Sequence, residues 1–478
     1  MYPSSPTHTE ELIQMIKSNS PKTVDIIKEY IENHDTKAMD EGIKYYYKEN
    51  DITDRVIYKY DNAGNKLIDH EATNNKLASG YHKLLVDQKT SYLVGEPLTI
   101  SSKSDKDIEP ITETLGDEFN DTLPELVTAA SNKGREWLHP YIDTNGEFDY
   151  IIIPAQEGIP IYDNTKRKSL IGFIRYYELD DGTKKIELWD DKQVTFYEET
   201  DQGIVMDVSY EDNPQPHFYY GPEDNKKGYS WSKEGKKAVP FIEFANNSKR
   251  VNDLLFYKDF IDATDNIISD TTNTIEDVQQ FLYVIRGYEG QDIAEAVTNF
   301  KRFKGVAVSS DENSGVDILQ GEVPMQSIST HLDRMKDDIF QFGQGVDISS
   351  DKYGNSPSGI ALKFLFSLLD MKASVLERKF EKGLREFIWY VCEYLEISGQ
   401  GTYDYKNIEF VFNKSMLMNE LEQVTIAQQS LGVISQETIV ANHPWTTNVQ
   451  QELDRLEEAK SAYPSVEDDE ELEEDEEE

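Results

Sequence analysis

The chain has 478 residues, a formal net charge of −43 and 38% hydrophobic residues. That length allows two to four domains with hydrophobic cores, and 28 Tyr and 20 Phe supply large side chains to fill them. The acidic balance argues against tight binding of nucleic acid, which depends on Lys and Arg contacts to phosphates. The single cysteine, Cys392, excludes an intramolecular disulfide and a cysteine metal cluster.

The sequence carries no targeting or membrane signature. Residues 1–17 are polar where a signal peptide needs an apolar run, and no window approaches the roughly 20 apolar residues of a membrane span. We therefore expect a soluble protein that is intracellular when synthesised. In the segment 467–478, every residue except Leu472 is acidic, and −43 less those 11 acids leaves −32 for the rest. We predict a disordered, solubilising tail over 464–478, with partner binding as the alternative.

Helical periodicity dominates the first part of the chain. Apolar residues three and four apart predict helices over 23–49 with a break near His34, over 75–93, and over 113–138. The stop Gly95-Glu96-Pro97 precedes a short predicted strand at Leu98-Thr99-Ile100.

From residue 146 the apolar period shortens to that of strands. The runs are separated by Asp-Gly, Asp-Asp and Pro-containing turns, which are typical of antiparallel neighbours. We predict a small β-rich module over 146–244, with strands at 150–154, 171–179, 185–189, 194–198, 203–210 and 239–244.

A long helix is predicted from residue 251 to 282, where five apolar residues repeat every seven: Leu254, Ile261, Ile268, Ile275 and Leu282. Such a narrow seam with acidic flanks is typical of a helix packed on other helices. We expect an acidic face formed by Asp259, Asp262, Asp265 and Asp270. A compact α/β insert follows over 287–321, with a helix near 293–300 and a strand pair at 305–308 and 316–319, before a further helix over 327–342.

A polar loop with three glycines, residues 343–355, leads into the longest predicted helix. Ser356-Pro357 is a helix start, with Ser as N-cap and Pro in the first turn, and few breakers follow until Gly399. One apolar stripe runs along this helix, and Phe364, Phe366 and Leu368 predict that its first half is buried almost all round. Beyond it we predict a strand at 408–412 and helices at 418–431, 437–442 and 448–459.

No catalytic, metal or cofactor signature is present in the sequence. There is no Walker A loop, no zinc-protease or nucleophile-elbow motif, and the eight histidines are scattered singly. The run Asp311-Glu312-Asn313-Ser314-Gly315 lacks the later bidentate Glu of a calcium loop and is interpreted as a turn. We predict no cofactor, no metal and no enzymatic activity.

Four stretches, in this order, resemble the portal proteins of tailed bacteriophages, specifically the siphophage type from phages of Gram-positive hosts. They are Leu84-Leu85-Val86-Asp87-Gln88-Lys89-Thr90-Ser91-Tyr92-Leu93-Val94-Gly95-Glu96-Pro97; Val239-Pro240-Phe241-Ile242-Glu243-Phe244 with Asp262-Ala263-Thr264-Asp265 and Ser269-Asp270; Asn355-Ser356-Pro357-Ser358-Gly359-Ile360-Ala361-Leu362-Lys363; and Gly432-Val433-Ile434-Ser435-Gln436-Glu437-Thr438 with His443-Pro444-Trp445.

The resemblance implies an α+β, mainly helical portal fold assembled as a ring, with long stem and wing helices. Its implied parts are a wing at 1–250 (helices 23–138 and the β-rich module), a stem helix at 251–286, a small α/β clip at 287–324, a second stem helix at 325–342, a tunnel loop at 343–355, a long wing helix and strand at 356–414, and a helical crown at 415–463.

The resemblance also implies the functional residues. The DNA-facing tunnel loop would comprise Gly345, Val346, Asp347, Ile348, Ser349, Ser350, Asp351, Lys352 and Tyr353. Its hinge and helix cap would comprise Gly343, Gly354, Asn355, Ser356 and Pro357. Two alternatives stay open: Lys352 either contacts phosphate transiently or is merely solvated, and the glycines serve either loop movement or turn geometry alone.

The implied partners are other copies of the chain, in a ring of twelve, and the double-stranded DNA that passes through it. Further implied partners are the terminase large subunit, a head-completion or adaptor protein, and the major capsid and scaffolding proteins. The location would be a capsid vertex of the virion, after assembly in the host cytoplasm, with no membrane contact.

Two other classes of function remain open at this stage. One is a carbohydrate-active enzyme whose cleft is lined by Trp189, Tyr219, Tyr220 and Trp231 of the β-rich module, although such aromatics more often pack a small sheet. The other is a different ring or adaptor protein of the phage head, which is usually much shorter and lacks the long helix.

Overall fold

A computed structural model describes residues 8–17, 21–104, 108–163, 169–222, 225–233, 236–278, 282–286, 315–319, 324–347, 349, 359–415, 420–441, 443, 445–446 and 449–462. The chain divides into two compact units. The first holds residues 1–347 and 371–414, and the second holds 348–370 and 415–478. Helices make up 48% and strands 21%, which confirms the α+β class.

The first unit begins with a series of helices. They are α1 (His8–Lys17), α2 (Pro21–Glu32), α3 (Lys37–Tyr46), α4 (Tyr81–Val94), α5 (Glu109–Leu115) and α6 (Phe119–Lys133). The break predicted near His34 is confirmed between α2 and α3. The hairpin of β1 (Tyr58–Tyr60) and β2 (Lys66–Ile68), between α3 and α4, was not predicted, because each strand has only three residues.

The β-rich module is confirmed, and it contains more strands than the sequence predicted. Its strands are β4 (Arg135–Ile142), β5 (Phe148–Ile153), β6 (Gly158–Tyr162), β7 (Leu170–Glu178), β8 (Lys184–Trp189), β9 (Gln193–Thr200), β10 (Gly203–Met206), β11 (Gln215–Pro216), β12 (Phe218–Tyr220), β13 (Lys227–Tyr229), β14 (Ser232–Lys233), β15 (Lys236–Lys237) and β16 (Ile242–Ala245). One sheet has the order β10-β9-β8-β7-β6, with β11 also on β9, and a second has the order β16-β4-β5.

The predicted helix over 113–138 is wrong at its end, because Arg135–Ile142 is strand β4. Trp137 of β4 is 1% exposed and packs edge-to-face on Phe173, which stacks on Phe241 at 3.8 Å between ring centroids. Apolar residues that alternate with polar ones suit a strand buried on one side, but Trp137 and Leu138 are adjacent and both buried, so the strand period is hidden.

Two of the four aromatic residues considered for a sugar cleft are buried, whereas Tyr219 is 39% exposed. Trp231 is 1% exposed and Trp189 is 7% exposed. The Trp189 indole N–H donates to the Glu187 carboxylate at 2.9 Å. These two side chains pack the sheets, as aromatics in a small β module usually do.

His139 of β4 makes a pH-dependent contribution to stability that can be tested. Its ring stacks on Phe241 at 4.5 Å, its Nδ1 lies 2.6 Å from the Pro240 carbonyl oxygen, and burial lowers its pKa to about 4. As the pH falls, His139 is therefore protonated in the unfolded chain before it is protonated in the folded protein. The free energy of unfolding decreases as the pH falls from about 6.5 to 4. One such group contributes about 3 kcal/mol over that window.

We expect His139→Phe to lose less stability than the wild type between pH 7 and pH 4.5, measured by urea unfolding at both values. His70, which is exposed, provides the control variant His70→Phe, whose pH dependence should match the wild type. An equal loss of stability in the wild type and in His139→Phe would contradict the assignment.

The central helices differ from the prediction at their ends. A short 3-10 turn (Leu254–Phe256) precedes α7 (Lys258–Val278), which packs against α8 (Met325–Gly343). The predicted stem helix over 251–286 is wrong at its C-terminal end, because Leu282–Arg286 forms β17 and pairs antiparallel with β18 (Gly315–Leu319). The predicted strand at 305–308 and helix at 293–300 lie outside the described residues.

The longest helix is confirmed as α9 (Gly359–Ile397), and it contains the boundary between the two units. Its apolar stripe is buried from Leu369 to Leu395, but Phe364 is 76% exposed, so the expectation that the first half is buried all round is wrong for the single chain. The predicted strands near 98–100 and 408–412 are β3 (Thr99–Ser102) and β19 (Ile408–Val411), which pair with each other. The second unit also holds α10 (Glu420–Gln429), α11 (Gln436–Ala441) and α12 (Val449–Ala462).

Candidate functional site

The candidate site is built on one face of α4. A buried stripe runs along this helix, and its members are His82, Leu85, Val86, Lys89, Tyr92 and Leu93. Lys89 stands in the middle of the stripe with its side chain 0% exposed, and Gln88 borders it, half-buried. Because the apolar members of the stripe fix the rotation of the helix, Gln88 and Lys89 are presented in a defined direction.

The end of α8 packs directly against this face. Gln344 caps the helix in the left-handed conformation (φ 54°), and the Gly345 N–H donates to the Phe340 carbonyl at 2.9 Å. A left-handed cap is normally a glycine. The two flanking glycines instead allow the close approach of Leu85, since a Cβ on Gly343 or Gly345 would lie 2.5 or 2.1 Å from its side chain.

Gln88 holds the peptide groups of Val346 from both sides. Its Nε2 donates to the Val346 carbonyl at 2.7 Å, and its Oε1 accepts from the Val346 N–H at 3.0 Å. Val346 is 2% exposed, and the next residue, Asp347, forms an ion pair with Lys336 at 3.1 Å. Residues 343–347, which we call the loop base, are therefore packed into the first unit.

A buried ion cluster lies beside the loop base and consists of Lys89, Asn246, Asp253 and Lys372. The Asp253 carboxylate accepts from Lys89 Nζ at 2.6 Å, lies 3.0 Å from Lys372 Nζ, and accepts from Asn246 Nδ2 at 2.8 Å. Lys372 also donates to the Gly343 carbonyl at 2.8 Å. One lysine of α9 thus joins the cluster to the last turn of α8.

The electrostatics of the cluster favour its charged form at Asp253. Burial raises the pKa of that carboxyl, but the charges of Lys372 and Lys89 outweigh burial and hold the pKa below its ordinary value. Burial lowers the pKa of Lys89 to about 8, against the opposing effect of Asp253. Two cations share one carboxylate, and the carbonyl end of α8 adds partial negative charge where Lys372 binds.

Replacing Gly345 with alanine tests the close approach at the loop base. The added Cβ has to displace Leu85, and overpacking of this kind costs about 1–3 kcal/mol. We expect Gly345→Ala to lower the thermal unfolding midpoint, and the double variant with Leu85→Ala to lower it by less than the sum of the two single variants, because the smaller side chain makes room for the added Cβ. Gly80→Ala is the control, because its Cβ would lie 3.7 Å from the nearest atom, in Lys48. Equal midpoints for the two single glycine variants would contradict the packing described here.

The structure corrects part of the predicted DNA-facing loop. Gly343 is the buried last residue of α8 rather than a loop residue, and the side chains of Val346 and Asp347 are buried within the first unit. Ser349 is exposed. The other predicted loop and cap residues lie outside the described residues: Ile348, Ser350, Asp351, Lys352, Tyr353, Gly354, Asn355, Ser356 and Pro357.

The predicted acidic face of α7 is corrected as well. Asp265 is 0% exposed and accepts from Asn50 Nδ2 at 2.6 Å, so it cannot belong to an exposed face, and burial raises its pKa. Asp262 is half-buried between Tyr45 and Lys258. Asp259 is exposed, and Asp270 is 68% exposed while paired with Arg55 at 2.7 Å. The sequence prediction failed here because the segment 50–79 packs along α7.

Sequence reasoning missed Gln88, Lys89, Asp253 and Lys372 as site residues, although the first two lie in a stretch that carries the family resemblance. A signal was available for Lys89. It occupies a position three and four residues from Val86 and Leu85, inside an apolar stripe, where a lysine is unusual unless a carboxylate partner is buried with it. No comparable pattern marks Lys372 or the partner Asp253.

Comparison with known proteins decides the family. The model of the family described as "Phage portal protein, SPP1 Gp6-like" matches residues 26–464. The chain belongs to this portal protein family. It is 38% identical to the portal protein of Bacillus phage SPP1 over 478 aligned positions, which cover 98% of this chain and 93% of that protein. It is 32% identical to the portal protein of Clostridium phage phiCD119 over 447 positions, with 89% and 93% covered.

Membership confirms the resemblance drawn from the four sequence stretches, and with it the function of a phage portal protein in DNA packaging. Portal proteins are structural components of the virion at the capsid, and the family implies an oligomeric ring. In the described part of the chain, no helix is long and apolar enough to cross a membrane. Among the same residues, no group of three His, Cys, Asp or Glu side chains is placed to hold a metal ion.

Proposed function

We propose that twelve copies of this portal protein form a ring at one vertex of the capsid, through which the terminase motor packages double-stranded DNA and from which the DNA is later ejected. The observation that carries the proposal is the family match over residues 26–464, which includes the predicted wing, stem, clip, loop and crown together. A ring closed by rotation needs a heterologous contact between neighbours, so each copy must offer two different surfaces.

The proposed parts keep the boundaries predicted from the sequence except at the stem, the start of the clip and the tunnel loop. The wing takes residues 1–250 and 356–414, the crown takes 415–463, and the stem takes α7 and α8. Because Leu282–Arg286 is strand β17 and pairs with β18, we propose that the clip begins near residue 282 rather than 287. In this arrangement the clip contacts the terminase large subunit and later the head-completion or adaptor protein, whereas scaffolding and major capsid proteins contact the outside of the ring during assembly in the host cytoplasm.

The DNA-facing part of the tunnel loop is proposed to be residues 348–355, the segment that follows the loop base. The loop base holds the segment where it starts, through Gln88 and Leu85 of the wing. Asp259 and Asp270 of α7 remain candidates for an acidic channel wall, since both are exposed in the single chain. Acidic walls release no counterions from DNA and so do not bind it tightly.

Negative-stain electron microscopy of the purified protein, paired with native mass spectrometry, tests the proposed assembly. Twelve subunits of 54.9 kDa predict a particle of about 660 kDa with a central channel. A stable monomer at every salt concentration and protein concentration tried would contradict the ring, and particles of a different subunit number would contradict the stoichiometry alone.

A further inference from the structure

The β1–β2 hairpin is firmly held where it joins the subunit. Arg55 donates to Asp270 of α7 at 2.7 Å, and Thr73 donates to Asp277 at 2.7 Å. Asn75 donates its backbone N–H to Asn273 Oδ1 at 2.8 Å. The two ends of the hairpin segment are thus hydrogen-bonded along the C-terminal half of α7, so the hairpin has a defined position.

The strands themselves are uncovered. All six strand residues are exposed in the single chain. The register pairs Tyr58 with Ile68 and Tyr60 with Lys66, so these four side chains share one face, which we call the hairpin face. Tyr58, Tyr60 and Ile68 are 46%, 71% and 49% exposed, and the Lys66 ammonium lies 3.8 Å from the centre of the Tyr58 ring.

A two-stranded hairpin with no core is at best marginally stable in water, and contiguous exposed apolar residues mark interaction sites. Tyrosines that combine a large apolar ring with a polar tip are typical of the centres of protein interfaces. The hairpin face therefore has the composition of a contact surface that the single chain leaves without a cover.

The charges of the hairpin indicate what covers it. On the opposite face, Lys59 pairs with Asp69 at 3.1 Å and lies 3.9 Å from Glu71, so that those acids are compensated within the hairpin. The hairpin face itself carries the single cation Lys66. Its complement is an acidic protein surface, and a second copy of this chain, with its net charge of −43, provides one.

We propose that the hairpin face of each subunit docks on the adjacent copy of the chain and forms part of the contact that closes the ring. This inference rests on the proposed ring. In a ring closed by heterologous contacts, the hairpin face of one subunit meets a different surface of the next subunit. The hairpin is hydrogen-bonded to α7 at its base, and its exposed face is mostly apolar. Docking therefore requires little ordering of the chain.

Two matched substitutions on the same hairpin test the proposal. Ile68→Glu places a carboxylate on the hairpin face, and Leu67→Glu places one on the opposite face at nearly the same exposure, 49% against 48%. We expect Ile68→Glu to lower the fraction of protein in rings about tenfold or more, measured by native mass spectrometry, because each ring contact then buries an unpaired charge. Leu67→Glu should assemble like the wild type.

Dilute monomer of both variants should unfold at the wild-type temperature, since neither side chain is buried in the single chain. A photoreactive phenylalanine analogue at Tyr60 gives an independent measure of contact, and covalent dimers on illumination of purified rings are the expected result. Equal ring yields for wild type and Ile68→Glu would overturn the hairpin proposal but not the proposed function. The same holds if Ile68→Glu forms intact rings that fail only to enter capsids. If the wild type itself formed no rings, the proposed function would fail together with this inference.

Discussion

Replacing Asp253 with alanine is expected to destabilise the subunit by about 3–5 kcal/mol, the range measured when one partner of a buried ion pair is removed. The variant leaves Lys89, whose side chain is 0% exposed, and Lys372, which is 12% exposed, without their shared carboxylate. Lys89 would keep only the Asn246 amide oxygen, at 2.9 Å. Chemical denaturation of the purified chain at pH 7 measures the loss.

The loss has a second consequence at the loop base. Without Asp253, the cluster has no carboxylate to balance the charge of Lys372. Hydration of the Lys372 ammonium then competes with its hydrogen bond to the Gly343 carbonyl and weakens that bond. Adding Lys89→Met to Asp253→Ala removes the second buried cation and should recover part of the stability. Asp259→Ala, which replaces an exposed acid in the first turn of α7, should change stability by less than about 1 kcal/mol. A similar cost for both alanine variants would show that the cluster is not an important contributor.

Replacing Gln88 with leucine is expected to release the loop base and to reduce DNA packaging by the assembled ring. The variant removes the donor to the Val346 carbonyl and the acceptor for its N–H, and an unsatisfied buried peptide group costs about 1–3 kcal/mol. Val346, at 2% exposed, cannot recover both bonds from water without leaving its pocket. An in vitro packaging assay on purified rings measures the effect.

Two controls separate loop release from general damage to α4. Gln88→Glu keeps the acceptor for the Val346 N–H but lacks the donor to its carbonyl, so an intermediate loss is expected. Leu84→Ala changes a 41% exposed residue on the same helix and should package like the wild type. Full packaging by Gln88→Leu rings would mean that the position of the loop base does not matter for translocation.

The sequence predicted elements where one residue period persists over a long segment. The strands from β7 to β10 were predicted because their turns carry Asp and Gly, and α9 because its stripe continues to Leu395. Prediction failed where a tertiary contact outweighs local pattern. Examples are β4, whose adjacent Trp137 and Leu138 are both buried, and the α7 acids, which bind residues some 200 positions away in sequence, such as Asn50 with Asp265.

At the candidate site, the sequence located the loop but not what holds it. From the sequence alone, glycines at 343 and 345 are consistent with movement of the loop, because glycine allows many backbone conformations. In the structure neither has a positive φ, and both are glycines because Leu85 approaches too closely for a Cβ. Such a contact joins residues more than 250 positions apart, and nothing in local composition encodes it.

Hydrogen–deuterium exchange of the peptide that covers residues 343–347 tests the central claim, that the loop base is fixed to the subunit and only later residues are available to DNA. The Gly345 and Val346 amides donate to Phe340 and Gln88, so in wild-type rings both should exchange on the order of 100-fold more slowly than in an unstructured chain. In Gln88→Leu rings the Val346 amide should lose that protection. Exchange of both wild-type amides at the unstructured rate would contradict the account.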